Sequence, residues 1–123
     1  MQTLWMLKAY KWFNMKYLIT ESQRHNLIFK YLDNQDFITV ESPKRIYLVN
    51  SEGDKISQIV VDKEDGFCEV NYKLIDEISS FFSIKREHLW DVISKWVSER
   101  EGIMIYDIWS AEGYVRNELI VRK

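Results

Sequence analysis

The chain has 123 residues, enough for one domain with one hydrophobic core and too few for two. Hydrophobic residues make up 46% and aromatics 15%, which excludes a disordered chain, and a net charge of −2 excludes a strong overall field for nucleic acid. One cysteine excludes an intrachain disulfide and is compatible with a reducing compartment, and no apolar run approaches the roughly 18–20 residues that span a bilayer.

Residues 1–14 place Leu4, Trp5, Met6, Leu7, Tyr10, Trp12 and Phe13 among Lys8 and Lys11. The apolar residues circle a helical wheel and form no stripe, so the segment reads as a first strand or helix packed on the domain. A rival reading makes it a partner-binding or membrane-surface tail, because Trp and Lys together suit an interface. It shows no compact apolar stretch followed by small residues, which does not fit a signal peptide. Met15 opens a run that reads as a protein start, so the expected organisation is a separable segment 1–14 and a single domain 15–123.

Residues 16–19 read as a short strand. Thr20-Glu21-Ser22-Gln23 is a capping box, with Thr20 as cap and Gln23 reaching back. The helix it opens runs to about Asp33, with Leu27, Ile28, Tyr31 and Leu32 on one face. The run Met15-Lys16-Tyr17-Leu18-Ile19-Thr20-Glu21-Ser22-Gln23 resembles the opening of small uncharacterised proteins of marine phages and metagenomes. That resemblance covers nine residues; it implies a viral or environmental source and supports Met15 as a start, and it carries over no activity and no site residue.

Residues 37–41, 45–50, 55–62 and 67–72 read as four strands with short turns between them, and short connections predict antiparallel neighbours in a meander. In the fourth, Cys68, Val70 and Tyr72 share one face; Phe67, Glu69 and Asn71 share the other. The stretch 73–100 reads as two helices broken at Ser83. Leu74, Ile75, Ile78, Phe81 and Phe82 mark the first. In the second, Leu89, Trp90, Val92, Ile93, Trp96 and Val97 fill an arc of about 160°. Lys85 is its poor N-cap and Gly102 its C-terminal stop. The break makes a corner in which Phe81, Phe82 and Trp90 are expected to meet. Residues 103–109 and 114–121 read as a closing hairpin joined through 110–113. The fold class is therefore α+β: an antiparallel sheet, meander plus C-terminal hairpin, packed against an N-terminal helix and a two-helix corner.

No phosphate loop, dinucleotide fingerprint or nucleophile elbow occurs. The candidate acid/base pair is His25 with Glu21, one helical turn apart, set against a His bonded locally at the core edge. His88 reads as solvated. A zinc site from His25, His88 and Cys68 would need three distant elements to converge without paired ligand spacing, so neither metal nor cofactor is expected. Asp62, Glu64 and Asp65 before Gly66 lack the full calcium-loop pattern and read as a hairpin turn. As a DNA-reading helix, the second of the pair would offer Asp91, Ser94, Lys95, Ser98 and Glu99, a face without the cationic and amide groups that read base edges.

Five Trp and seven Tyr exceed what so small a core needs. Trp5, Trp12, Trp109 and Tyr114, in the first segment or beside the last turn, are the candidate interface residues. The function these features favour is a small non-enzymatic protein-interaction protein, phage or viral in the light of the resemblance. It would bind a protein partner or itself in the cytoplasm, the host's if phage-encoded. The rivals are a ligand-binding domain or enzyme with a pocket between sheet and helices, and a nucleic-acid or membrane-surface binder working through the basic aromatic segment.

Overall fold

The structure is a computed structural model that describes residues 20–51, 53–54, 56–111 and 121–122. The strand expected at 16–19, the start at Met15, and Trp5, Trp12 and Tyr114 lie outside the described residues. Among the described residues, three helices pack on a mixed, mostly antiparallel sheet, an α+β fold.

Helix α1 (Glu21–Asp33) begins at the capping box: Thr20 Oγ1 accepts from the Gln23 N–H at 3.2 Å, and the Thr20 N–H donates to Gln23 Oε1 at 3.0 Å. The chain then makes β1 (Ile38–Glu41), β2 (Arg45–Val49), β3 (Ile59–Asp62) and β4 (Phe67–Asn71), each antiparallel to the one before it, as their short turns require. The turn from β3 to β4 is held from within. Asp62 Oδ1 accepts from the N–H groups of Glu64 and Asp65, both at 3.0 Å. That carboxylate is engaged by its own turn, and Asp62, Glu64 and Asp65 make the hairpin turn that the sequence suggests.

The fourth strand stops one residue short of the expected end. Asn71 accepts from the Lys73 N–H at 2.9 Å and becomes the N-cap of α2 (Tyr72–Phe82). Tyr72 is therefore an exposed first-turn residue and does not share the inner face with Cys68 and Val70. The reason is local competition: an Asn side chain offers the backbone a cap where the alternating pattern offers a ladder.

The corner forms where the sequence breaks. Ser83 takes left-handed φ = 52°, the Ile84 N–H donates to Ser79 O at 3.1 Å, and Ser79 Oγ donates to Ile84 O at 2.7 Å. This six-residue closure ends α2 and points the chain into α3 (Arg86–Glu101), which stops at Gly102 with φ = 71°. Phe81 and Phe82 meet in the corner with centroids 4.8 Å apart, and the ring that joins them is Tyr31 of α1, at 5.3 and 5.6 Å. Trp90 is partly buried against the same core.

The closing hairpin is corrected by the sheet order, which is β5-β4-β3-β2-β1-β6. Strand β5 (Asp107–Ala111) runs parallel to β4, whereas the two-residue β6 (Val121–Arg122) pairs with β1 at the opposite edge. Two helices stand between β4 and β5, and such a crossover returns the chain to the end of the sheet it left, so the next strand must run parallel. Ser110 and Ala111, read as loop, are strand residues paired with Val70 and Asn71.

The main core lies between the helices and one sheet face, where Ile46, Leu48, Ile59, Val61, Cys68 and Val70 meet Ile28, Leu32, Ile75, Ile78, Leu89 and Ile93. On the other face the register aligns Val40, Tyr47, Val60, Glu69 and Trp109 in one row across five strands. Its first three members are buried, with Val49, in a second cluster.

Candidate functional site

Two places on this frame gather side chains that the core does not use. The first is the β4–β5 edge. Phe67 sits on the outward face of β4, opposite the buried Cys68. Trp109 sits on the same face of β5, its ring 5.6 Å from that of Phe67. Tyr106 precedes β5, and its ring lies 6.0 Å from that of Phe67. Phe67 thus packs at a tilt against both other rings, yet Phe67 is 38%, Trp109 37% and Tyr106 80% exposed, with Met104 nearby in the chain at 83%. Residues 103–106 alternate, Ile103 and Ile105 turning to the core and Met104 and Tyr106 to solvent; after the exposed Asp107, Ile108 turns to the core again.

Gly66 sets this geometry. With φ = 72° it lets the chain before β5 pass directly over the turn, where the Tyr106 N–H donates to Gly66 O at 2.7 Å. A Cβ at position 66 would meet Met104 O at 2.5 Å. Beside the rings runs a shallow groove of about 130 Å³ lined by Arg45, Val60, Asp62, Phe67, Glu69 and Trp109. The strand's own amides are partly guarded, since Asp107 Oδ1 accepts from the Ile108 N–H at 2.8 Å. What this edge offers a partner is aromatic side chains.

The second place is a cleft of about 250 Å³ between the first turns of α1 and α3, lined by Glu21, Arg24, His25, Ile84 and His88. His25 Nε2 lies 3.7 Å from Glu21 Oε1, beyond hydrogen-bonding range, and the Glu21 side chain is 81% exposed. The two candidate acid/base residues are therefore neighbours, with no bond between them to orient the imidazole. Arg24 Nε is buried and has no hydrogen-bond partner. His88, exposed as expected, faces the same cleft as His25. Cys68 stands apart, fully buried in the sheet, where loss of solvation pushes its thiol from 9.0 up to about 12 and keeps it protonated. Among the described residues no group of three His, Cys, Asp or Glu could hold a metal ion. Nor is any helix among them long and apolar enough to cross a membrane.

Of the candidate interface residues, Trp109 alone falls among the described ones, and it is exposed in the aromatic edge. Sequence reading missed Phe67, Tyr106 and Met104. A signal for Phe67 was present, as an aromatic on the strand face shared with Glu69 and Asn71. The convergence of Arg24, His25 and His88 had none, because it depends on how the α2–α3 corner sets α3 against α1. The chain matches no protein-family model, no curated protein and no solved structure.

Proposed function

We propose that this chain is a non-enzymatic interaction domain that associates with a second copy of itself through the aromatic edge of β4 and β5. The observation that carries this reading is the Phe67–Tyr106–Trp109 cluster, whose rings are ordered against one another and still open to water. Large aromatics gain most from burial, and a rigid cluster loses little conformational freedom when covered. A second copy suits the surface for two reasons. Aromatic faces and edges are self-complementary, and the adjoining groove carries both signs of charge, Arg45 with Asp62 and Glu69, so two copies related by a two-fold axis need not repel. The non-enzymatic part is supported by the 3.7 Å between His25 and Glu21, too long for a hydrogen bond that would orient the imidazole, and by the protonated, buried thiol of Cys68.

Light scattering on the full chain over a range of concentrations tests the reading. The wild type is expected to reach twice the monomer mass. The double variant Met104→Ser/Tyr106→Ser is expected to stay monomeric with an unchanged melting temperature, since both side chains are mostly in water. A wild type that stays monomeric up to its solubility limit, or a variant that associates equally well, overturns it.

A further inference from the structure

Beyond its rings, the aromatic edge has a backbone with groups left to pair. Resting on the reading that two copies associate there, we infer that they join strand to strand. Strand β5 of one copy pairs antiparallel with β5 of the other about a two-fold axis at Trp109, making one continuous sheet of the two.

The direction of the backbone groups follows from the register. The Asn71 N–H donates to Gln58 O at 2.8 Å, so Asn71 and Glu69 turn their backbone groups toward β3, and Cys68 and Val70 turn theirs toward β5. Cys68 lies level with Ile108, and Val70 with Ser110, in a parallel ladder. Such a ladder bonds each residue to the two that flank its partner, so Cys68 and Val70 engage Asp107, Trp109 and Ala111. The N–H and C=O groups of Ile108 and Ser110 therefore point away from the sheet. The Ile108 N–H agrees with this, because it donates to Asp107 Oδ1 at 2.8 Å and not to β4. Among the described residues, the Ile108 carbonyl and both backbone groups of Ser110 find no other backbone partner.

An edge with unpaired backbone groups is a template for another strand. At the opposite side of the sheet the outermost strand is the two-residue β6, too short to serve as one. Strand β5 is five residues long, holds neither proline nor lysine, and is guarded only by Asp107 at its first position. A second β5 fits it because an antiparallel pair is its own complement under a two-fold axis. Centred on Trp109, the pairing uses all five residues. Ile108 exchanges both bonds with the partner's Ser110, its N–H leaving Asp107 to do so. Trp109 falls opposite the partner's Trp109 in the non-hydrogen-bonded position, with Cβ atoms about 5 Å apart. With Phe67 beside each Trp109, the rings of both copies then make one aromatic cluster across the junction. The charges permit it. Each Asp107 comes opposite the partner's Ala111, so the two carboxylates are about 13 Å apart along the strand, beyond the screening length of about 8–10 Å.

Amide hydrogen exchange of the full chain, followed by NMR at low and at high protein concentration, tests the pairing. The Ser110 amide should exchange at least tenfold more slowly at high concentration, whereas Trp109 and Ala111, bonded to β4, are protected at both. Ser110→Pro removes the outward N–H at an edge position, where proline is tolerated, and should weaken association at least tenfold. If that variant unfolds, exchange in the wild type decides alone. The strand pairing is overturned, and the aromatic association left standing, by a wild-type dimer that Met104→Ser/Tyr106→Ser abolishes but whose Ser110 amide exchanges at the same rate at every concentration. A folded Ser110→Pro variant that associates like the wild type has the same meaning. A wild type that stays monomeric overturns both readings.

Discussion

Trp96 and Trp109 are the same residue put to opposite uses. Trp96, in α3, is 4% exposed, and every side of it is occupied. Its Nε1–H donates to Asp33 Oδ1 at 2.9 Å, Phe37 meets it edge-on at 6.0 Å, and the Arg100 guanidinium lies 5.5 Å from its ring centre. Arg100 in turn donates to Phe37 O and to Thr39 Oγ1. This one cluster ties the end of α1 and strand β1 to α3. Trp109 has a ring partner in Phe67 and an open side. Where an aromatic's polar tip and both faces are satisfied, its energy belongs to the fold; where a packed ring keeps an open face, that area is left for association.

The largest effect should come from the closed cluster. Trp96→Ala removes a buried indole together with its bond to Asp33, and a loss of about 3–5 kcal/mol is expected in urea unfolding. A loss below about 1 kcal/mol would mean that the cluster does not hold α1 to α3 and that the contrast with Trp109 is one of exposure alone.

Gly66→Ala ranks next, and it tests whether the two regions are coupled. The substitution forces a Cβ into left-handed backbone and against Met104 O, so a cost of about 2 kcal/mol or more is expected. Because the same contact positions Tyr106, association should fall with stability. If stability drops while association is unchanged, the aromatic edge does not depend on this crossing.

The two faces of β4 sharpen the comparison through pH. Phe67 faces water and its neighbour Cys68 faces the core. The unfolded thiol ionises near 9.0 and the folded one near 12, so above pH 9 the folded chain holds a proton that the unfolded chain has lost. Stability from this group is complete below pH 9. It falls as pH rises toward 12, by up to about 1.4 kcal/mol per pH unit. Tyr31 adds to the loss only above 10.0, because burial and its hydrogen bond to Glu77 also raise its pKa. Urea midpoints measured between pH 9 and 10 should therefore decline for the wild type and stay level for Cys68→Ala. A decline that persists in Cys68→Ala would assign it to another group.

Much of the closed region was legible in the sequence, because its signals are local. Thr20 and Gln23, the break at Ser83, the uncapped start at Lys85 and the stop at Gly102 each act within one turn of chain, and each appears where the pattern places it. The open region was less legible. The partner of β5 is β4, some forty residues earlier, and its parallel direction follows from the two helices between them; no property of 107–111 announces it. The cleft was hidden for the same reason. His25 and His88 are 63 positions apart, and what brings them together is the turn at Ser83 and Ile84, whose signature says that the chain bends and not where it goes.

The smallest expected effect on stability is also the one that separates the two Trp clusters most cleanly. Tyr106→Ser keeps the backbone N–H that bonds Gly66 O and removes a ring that is 80% exposed, with Phe67 as its ring neighbour. Surface changes of this kind move stability by no more than about 0.5 kcal/mol, so the unfolding midpoint should barely shift. The ring is nevertheless the most accessible of the three in the aromatic edge, so the mass at high concentration should fall. A shift of 1 kcal/mol or more, on the order of a buried contact, would place Tyr106 among the groups that hold the fold together. The edge would then be a second closed cluster like that of Trp96, and its exposure would no longer argue for a partner.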